Sequence, residues 1–242
     1  MIRFIMVSTL IFGMLFTPES MIKLPEAIIP KPDVIIDVGH GGIDSGTHYG
    51  DLYEKTINLE ISQKTYDLLG KKGIRAVLNR AEDRALSDDN HWLRNPSRHL
   101  RDLAQRKQLA NDLQARAMVS LHVNWSKNSR QSGPIVLYQP KNEASKQFAA
   151  TLQSSLNALY GTSHQPIRGK TYYILKYAQC PTVIVEMGFI SNDSDRARMT
   201  QADSQQKIAE AISSAIENYL KMVGQQKEPG QNGTPEPSAS TG

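Results

Sequence analysis

The hydrophobic positions of this chain follow two periods, which predict two kinds of element. Short apolar runs of strand length lie at 33–38, 74–80, 117–123, 134–140, 171–176 and 182–187. Charged segments with apolar residues three or four positions apart lie at 54–71, 98–115, 143–160 and 204–222, and they predict amphipathic helices. The last helix is the most regular, because an apolar residue recurs at every fourth position from Ile208 to Leu220.

The order of these elements predicts the architecture. Strands that alternate with helices of this length form βαβ units, so we expect a single α/β domain with a largely parallel sheet. In open sheets of this kind, functional groups collect outside the carboxyl ends of the strands. The residues that carry the chemistry of this chain should therefore follow its strands.

Both ends of the chain depart from this pattern. In residues 1–24, Arg3 precedes an apolar stretch at 4–16, which is short for a membrane span and typical of a secretory signal. No Ala-x-Ala cleavage motif follows, so an uncleaved signal anchor stays open. Residues 225–242 hold no large apolar side chain and predict a disordered tail. We expect a folded domain at 25–224 in an exported protein of the cell wall or membrane surface.

Composition excludes several classes of protein. With 39% apolar residues the chain is not wholly disordered, and its single cysteine, Cys180, allows neither an internal disulfide framework nor a Cys-rich zinc module. The 28 basic and 24 acidic residues give a net charge of +4. No basic run is interleaved with aromatic residues, so we expect no nucleic-acid partner.

Histidines and carboxylates lie near the ends of three predicted strands. His40 lies in GHGGIDSG, Glu54 begins the next predicted helix, His122 lies in SLHVN, and Glu186 follows the apolar run VIV. Two histidines and a carboxylate are the ligands of many catalytic zinc sites, where a second carboxylate acts as general base. Taken singly, His122 also fits an incidental strand-end residue, Glu54 a helix N-terminal carboxylate, and Glu186 a buried partner of an arginine.

Four segments together resemble a known family. GHGGIDSG, GDLYEK, SLHVN and VEMGFISN are similar, in order and spacing across 33–222, to the signature blocks of zinc-dependent N-acetylmuramoyl-L-alanine amidases. The resemblance implies that His40, Glu54 and His122 bind one zinc ion per chain and that Glu186 is the catalytic glutamate. It also implies a twisted, mostly parallel or mixed sheet of about six strands flanked by helices, with zinc at the carboxyl edge of the strands.

The reaction that the resemblance implies is hydrolysis of the amide between N-acetylmuramic acid and L-alanine in peptidoglycan. The partners would then be the glycan strand and its stem peptide. Two other functions stay open, namely a zinc peptidase or carboxypeptidase acting on cell-wall peptides, and a non-catalytic wall-binding module. The intact set of His40, Glu54, His122 and Glu186 argues against the binding module, because a pure binder needs no general base.

Three further residues are candidates for binding substrate. Asn124 and Trp125 directly follow the strand that carries His122, and Trp125 could stack on a sugar ring or merely fill space. Arg80 follows another predicted strand and could orient a carboxylate, with a surface salt bridge as the alternative.

The sequence also bears on how the activity is controlled. The long inhibitory helix that some cell-division amidases insert between the last two motifs has no counterpart here, so control would need expression timing or a regulatory protein partner of unknown identity. The N-terminal segment could also anchor the protein to a membrane. The compact domain without wall-binding repeats resembles the germination-specific amidases that act on the spore cortex.

Overall fold

The computed structural model describes residues 30–226. The predicted signal or anchor at 1–24 lies outside these residues, as does the predicted tail from residue 227 onward. Residues 225 and 226 instead continue the last helix, so the folded domain extends two residues past the predicted boundary. Within 30–226, no helix is both long and apolar enough to cross a membrane.

Eight strands and six helices follow one another along the described chain. The strands are β1 (Val34–Val38), β2 (His48–Tyr49), β3 (Leu52–Tyr53), β4 (Ala76–Leu78), β5 (Ala117–Asn124), β6 (Ile135–Tyr138), β7 (Ile167–Arg168) and β8 (Thr182–Phe189). The helices are α1 (Glu54–Lys71), α2 (Arg98–Leu113), α3 (Glu143–Tyr160), α4 (Tyr173–Tyr177), α5 (Asp193–Thr200) and α6 (Ala202–Gln226).

The main sheet has six strands in the order β4-β1-β5-β8-β6-β7, and β2 pairs with β3 in a separate hairpin. Strands β4, β1, β5 and β8 are mutually parallel, whereas β6 runs antiparallel to β8 and β7 runs parallel to β6. The predicted α/β fold with a mixed, mostly parallel sheet of about six strands is therefore confirmed.

Helices cover both faces of the sheet, which explains why its central strands are mostly apolar and buried on both faces. All five residues of β1 and all eight of β8 are buried. Val34 and Ile36 pack in one apolar cluster with α1, α3 and α6, whereas Ile35 packs in another with α2 and α4. The fourfold repeat of α6 has the same origin, because Ile212 and Ile216 are fully buried and each contributes about 1.5–3 kcal/mol by burial.

One predicted strand is wrong. Residues 171–176 do not form a strand, since Tyr173–Tyr177 is the short helix α4, whose Ile174 and Leu175 pack in the same apolar cluster as Ala110 of α2. A short apolar run has no period that distinguishes a strand from a buried helical turn. The edge of the sheet is completed instead by β7, a two-residue strand whose side chains are exposed and leave no apolar pattern.

The strand order determines where functional groups meet. Strands β1, β5 and β8 are neighbours and run parallel, so their carboxyl ends share one edge of the sheet. The register pairs His122 of β5 directly with Glu186 of β8. Two of the four candidate residues are therefore adjacent through backbone pairing alone.

Candidate active site

Three of the predicted residues meet at this edge and are here called the metal cluster: His40, Glu54 and His122. One potential ligand atom from each lies within 4.8 Å of the others. Oε1 of Glu54 is 3.1 Å from Nε2 of His40 and 3.0 Å from Nδ1 of His122. The two imidazole rings meet edge to face, with centroids 4.9 Å apart. The sequence-based expectation that these side chains lie together is confirmed.

Glycines make this close approach possible. A Cβ atom on Gly39 would lie 2.5 Å from Cε1 of His122, and one on Gly46 would lie 2.5 Å from Oε2 of Glu54. Any larger residue at either position would displace a member of the metal cluster. The glycines around His40 in the sequence are thus a requirement of the packing at this site.

Glu54 is a buried carboxylate that is held by several donors. Its Oε2 accepts a hydrogen bond from the backbone N–H of Thr47 at 2.8 Å, and its Oε1 accepts one from that of Val123 at 3.0 Å. Burial raises the pKa of Glu54, but hydrogen bonds from His122 and His40 outweigh it and hold the pKa well below its usual range. Glu54 begins α1, as predicted, yet its partners are the two histidines.

Asp44 fixes the orientation of His40. Its Oδ2 lies 2.8 Å from Nδ1 of His40, and a carboxylate can only accept, so Nδ1 carries the proton and Nε2 faces Glu54. Burial lowers the pKa of His40, but hydrogen bonds to Asp44 and Glu54 raise it to about 10. The His40 hydrogen bond in turn lowers the pKa of Asp44 to about 2.

Glu186 differs from Glu54 although both carboxylates are buried. It forms no ion pair with a lysine or arginine within residues 30–226, so its interpretation as a buried partner of an arginine is wrong. Burial raises the pKa of Glu186 to about 7; His122 and His40 lower it, and the Glu54 carboxylate raises it. A carboxyl group with a pKa near neutrality is suited to both accepting and donating a proton.

The metal cluster and Glu186 line one cavity of about 430 Å³, here called the main cavity. The cavity is also lined by His99 and Leu103 of α2 and by residues 171–174, which include Tyr172. Helix α4 therefore matters for the site although its sequence suggested a strand.

A set of buried charged and polar residues that the sequence analysis missed is here called the buried network: Asp37, Asn79, Asp102, Arg106 and Ser120. All of them except Asn79 also line the main cavity. Arg106 donates from Nη1 to Oδ1 of Asp37 at 2.7 Å, and its Nε donates to Asp102. Ser120 and Asn79 also donate to Asp37. The available signal was Asp37 itself, because a carboxylate inside a buried apolar strand needs a partner.

Arg106 also links the buried network to the metal cluster. Its Nη2 donates to the backbone carbonyl of His40 at 2.9 Å, and its Nη1 donates to that of Val38 at 2.7 Å. His40 has a φ of 59°, a left-handed conformation that is uncommon for residues other than glycine. The guanidinium of Arg106 therefore stabilises the backbone at the turn that directs the side chain of His40 into the metal cluster.

The three predicted substrate-binding residues lie in different environments. Arg80 is 1% exposed and donates to the backbone carbonyls of Gly39 at 3.0 Å and Lys55 at 2.9 Å. It does not face the main cavity, which corrects its predicted place in substrate binding. Asn124 lines the cavity, and Trp125 beside it is 51% exposed. Their roles stay predictions.

Comparison with known proteins gives consistent matches. A family profile described as N-acetylmuramoyl-L-alanine amidase matches residues 34–218. The protein YqiI of Bacillus subtilis (strain 168) is 35% identical over 188 residues, which cover 77% of this chain and 84% of YqiI. The germination-specific N-acetylmuramoyl-L-alanine amidase of the same organism is 29% identical over 196 residues, which cover 81% of this chain and 82% of that protein.

A solved structure agrees in fold. The CwlD amidase from Clostridioides difficile, determined in complex with the GerS lipoprotein, superposes with a TM-score of 0.72 at 30% sequence identity. The match covers 78% of this chain and 98% of that one.

Proposed function

Because this chain belongs to the N-acetylmuramoyl-L-alanine amidase family, we propose that His40, Glu54 and His122 bind one zinc ion and that Glu186 is its catalytic base. The chain is an N-acetylmuramoyl-L-alanine amidase, a hydrolase of the amide between N-acetylmuramic acid and the L-alanine of peptidoglycan. The observation that carries the proposal is a cluster of three ligand atoms and an unpaired buried glutamate in one cavity.

The residues present fit a zinc ion. Two imidazole nitrogens and one carboxylate oxygen are a common catalytic donor set for zinc, and Asp44 holds His40 in the tautomer that directs Nε2 into the cluster. When bound, zinc supplies Lewis-acid polarisation of the scissile carbonyl and favours ionisation of water near neutral pH. Since ligating imidazoles must be neutral, His40 loses its extra proton on metal binding.

Glu186 performs the proton transfers in this proposal. As a carboxylate it takes a proton from the water that attacks the amide carbonyl, and as the acid it returns that proton to the departing amine of L-alanine. Burial keeps its pKa near 7, because it outweighs the lowering effect of His122 and His40, and this value suits both steps. Glu54 cannot take this role, because both of its oxygens are already engaged and its pKa is well below the usual range.

The side chains around the cavity suggest how peptidoglycan binds. We infer that Asn124 contacts the substrate next to the scissile bond, since it lines the cavity beside His122. Trp125 is exposed at the same strand end and offers an apolar face on which a sugar of the glycan strand can stack.

The setting of the activity is also part of the proposal. We propose that the protein works outside the cytoplasm on cell-wall peptidoglycan, and that the predicted segment 1–24 exports or anchors it. The similarity to a germination-specific amidase favours a role in the spore cortex. The similarity to CwlD, whose structure contains a lipoprotein, favours control by a protein partner.

Mass spectrometry of digested peptidoglycan tests the activity directly. Purified sacculi are incubated with metal-free protein, with the same protein after zinc is added, and with the zinc-loaded Glu186→Gln variant. We expect stem peptides with a free N-terminal L-alanine only from the zinc-loaded wild-type protein. Cleavage within the peptide would indicate a zinc peptidase, and binding to sacculi without any product would indicate a wall-binding module.

A further inference from the structure

A second recess adjoins the main cavity, and the proposed reaction does not use it. This recess, here called the side groove, has a volume of about 260 Å³. It is lined by Ile43, Asp44, Ala85, Ser87, Arg98, His99 and Asp102. Asp44, His99 and Asp102 line both spaces, so the side groove lies directly beside the main cavity.

The charged groups of the side groove differ in whether they have a partner in the protein. Its two carboxylates are engaged elsewhere: Asp44 pairs with His40, and Asp102 pairs with Arg106 and accepts from the backbone N–H of Leu86 at 3.0 Å. Arg98, in contrast, is exposed and has no ion-pair or hydrogen-bond partner within residues 30–226. The side groove therefore contains the guanidinium of Arg98, with His99 next to it in sequence. No carboxylate among residues 30–226 pairs with this guanidinium.

The chemistry of the substrate limits what can lie there. Amide hydrolysis places the sugar on one side of the scissile bond and the peptide on the other. The sugars beyond the lactyl amide carry no charge that an arginine would recognise, whereas the peptide carries carboxylates. The planar guanidinium of arginine matches a carboxylate through two parallel hydrogen bonds.

We propose that the side groove is a specificity subsite in which Arg98, assisted by His99, binds the stem-peptide carboxylate closest to the scissile bond. The inference rests on the proposed amidase function. It adds the orientation in which the peptide and the glycan strand lie on either side of the metal cluster. The peptide leaves the metal cluster along the start of α2, and the glycan strand lies on the other side, beside Trp125. Specificity then depends on whether this carboxylate is free or amidated.

Kinetics with two matched substrates test the subsite. The substrates are muropeptides that differ only in that the peptide carboxyl group nearest the scissile bond is the free acid or the primary amide. For the wild-type protein we expect kcat/KM to be about 10- to 100-fold higher for the free acid, the range of one charge-assisted pair. Arg98→Met should lose this preference, whereas Arg98→Lys should keep part of it.

Arg94→Met is the matched control, because Arg94 is an exposed arginine of the same region that lines neither space. It should behave as the wild-type protein does on both substrates. Binding provides a second readout: the Glu186→Gln variant, titrated calorimetrically with each muropeptide, should bind the free acid more tightly, and Arg98→Met in that background should remove the difference.

Each outcome bears on one claim. Equal wild-type rates on the two substrates, or equal losses on both in Arg98→Met, would overturn the subsite and leave the amidase function standing. Absence of turnover by the wild-type protein on either substrate, with zinc present, would overturn the proposed catalytic function instead. A preference for the amide would show that the groove takes a neutral group.

Discussion

The main cavity is lined by two kinds of buried charged group, which differ in how fully their charges are paired. In the buried network, Arg106 is matched by Asp37 and Asp102 and by the backbone carbonyls of Val38 and His40. Glu186 is also buried, yet no lysine or arginine among residues 30–226 forms an ion pair with it.

This difference distinguishes residues that hold the backbone in place from residues that can take part in the reaction. Buried charges that satisfy one another hold a backbone in place and have no capacity left for a ligand. A buried carboxyl group without such a partner has a perturbed pKa and is free to exchange protons, which costs stability and enables function. The metal cluster is intermediate between these two cases. Both oxygens of Glu54 accept hydrogen bonds, but its Oε1 also lies beside the imidazoles of His40 and His122.

Loss of the arginine should be the most damaging change to the buried network. Arg106→Met leaves Asp37 and Asp102 buried without their cation, and we expect the free energy of unfolding to fall by about 3–5 kcal/mol. Urea denaturation measures it. Arg98→Met, at the exposed start of the same helix, is the control and should change the free energy by less than about 0.5 kcal/mol. Equal stability of Arg106→Met and wild type would contradict the supporting role of the network.

Removing a ligand should affect metal binding more than folding. Glu54→Gln keeps the shape of the side chain but removes its charge, and we expect zinc affinity to fall by about 100- to 1,000-fold, roughly 3–4 kcal/mol. Competition with a chromophoric chelator measures the affinity. Glu60→Gln, on the exposed side of α1, should bind zinc as the wild type does. Unchanged zinc affinity in Glu54→Gln would exclude Glu54 as a ligand.

The hydrogen bond from His40 to Asp44 should contribute less than a ligand. Asp44→Asn weakens the acceptor that fixes the tautomer of His40, and we expect zinc affinity to fall by about 10- to 100-fold. The same chelator competition applies. A loss as large as that of Glu54→Gln would mean that Asp44 itself contacts the ion.

Because the pKa of Glu186 is raised, we expect the contribution of this residue to the free energy of unfolding to depend on pH. Because its pKa is raised from 4.5 to about 7 in the folded metal-free protein, Glu186 costs no stability below about pH 4.5; the penalty grows between pH 4.5 and about 7 and is fully present above that. Glu186→Gln should therefore stabilise the metal-free protein by on the order of 1–2 kcal/mol at pH 8 and by almost nothing at pH 4.5. Urea denaturation at both pH values measures it, and a difference of the opposite sign would refute the unpaired state of Glu186.

Much of this arrangement follows from local sequence pattern. Helices α1 and α3 begin and end where their periodicity predicts, because each buries apolar side chains at helical spacing on one face. The histidines of the metal cluster could be predicted because His40 lies in a glycine-rich motif after β1 and His122 lies near the end of the apolar strand β5. The hairpin β2–β3 was not predicted, since strands of two residues have no period.

Long-range pairing explains the remaining errors. Arg106 meets Asp37 across 69 positions of sequence, and on its helix it looks like any charged surface residue. Arg80 follows a strand just as His40 does, but it turns inward to bond backbone carbonyls while His40 turns to the cavity. Only the packing of one element on another decides between these two environments.

The most direct test of the account measures zinc content and turnover together in Glu186→Gln. Because Glu186 is a proton carrier and not a ligand in this account, the variant should bind one equivalent of zinc while stem-peptide release falls by about 10²- to 10⁴-fold, the range of general acid–base catalysis. Atomic absorption and product quantification on the same sample provide both values. A variant that holds zinc and releases stem peptides at the wild-type rate would contradict the central claim.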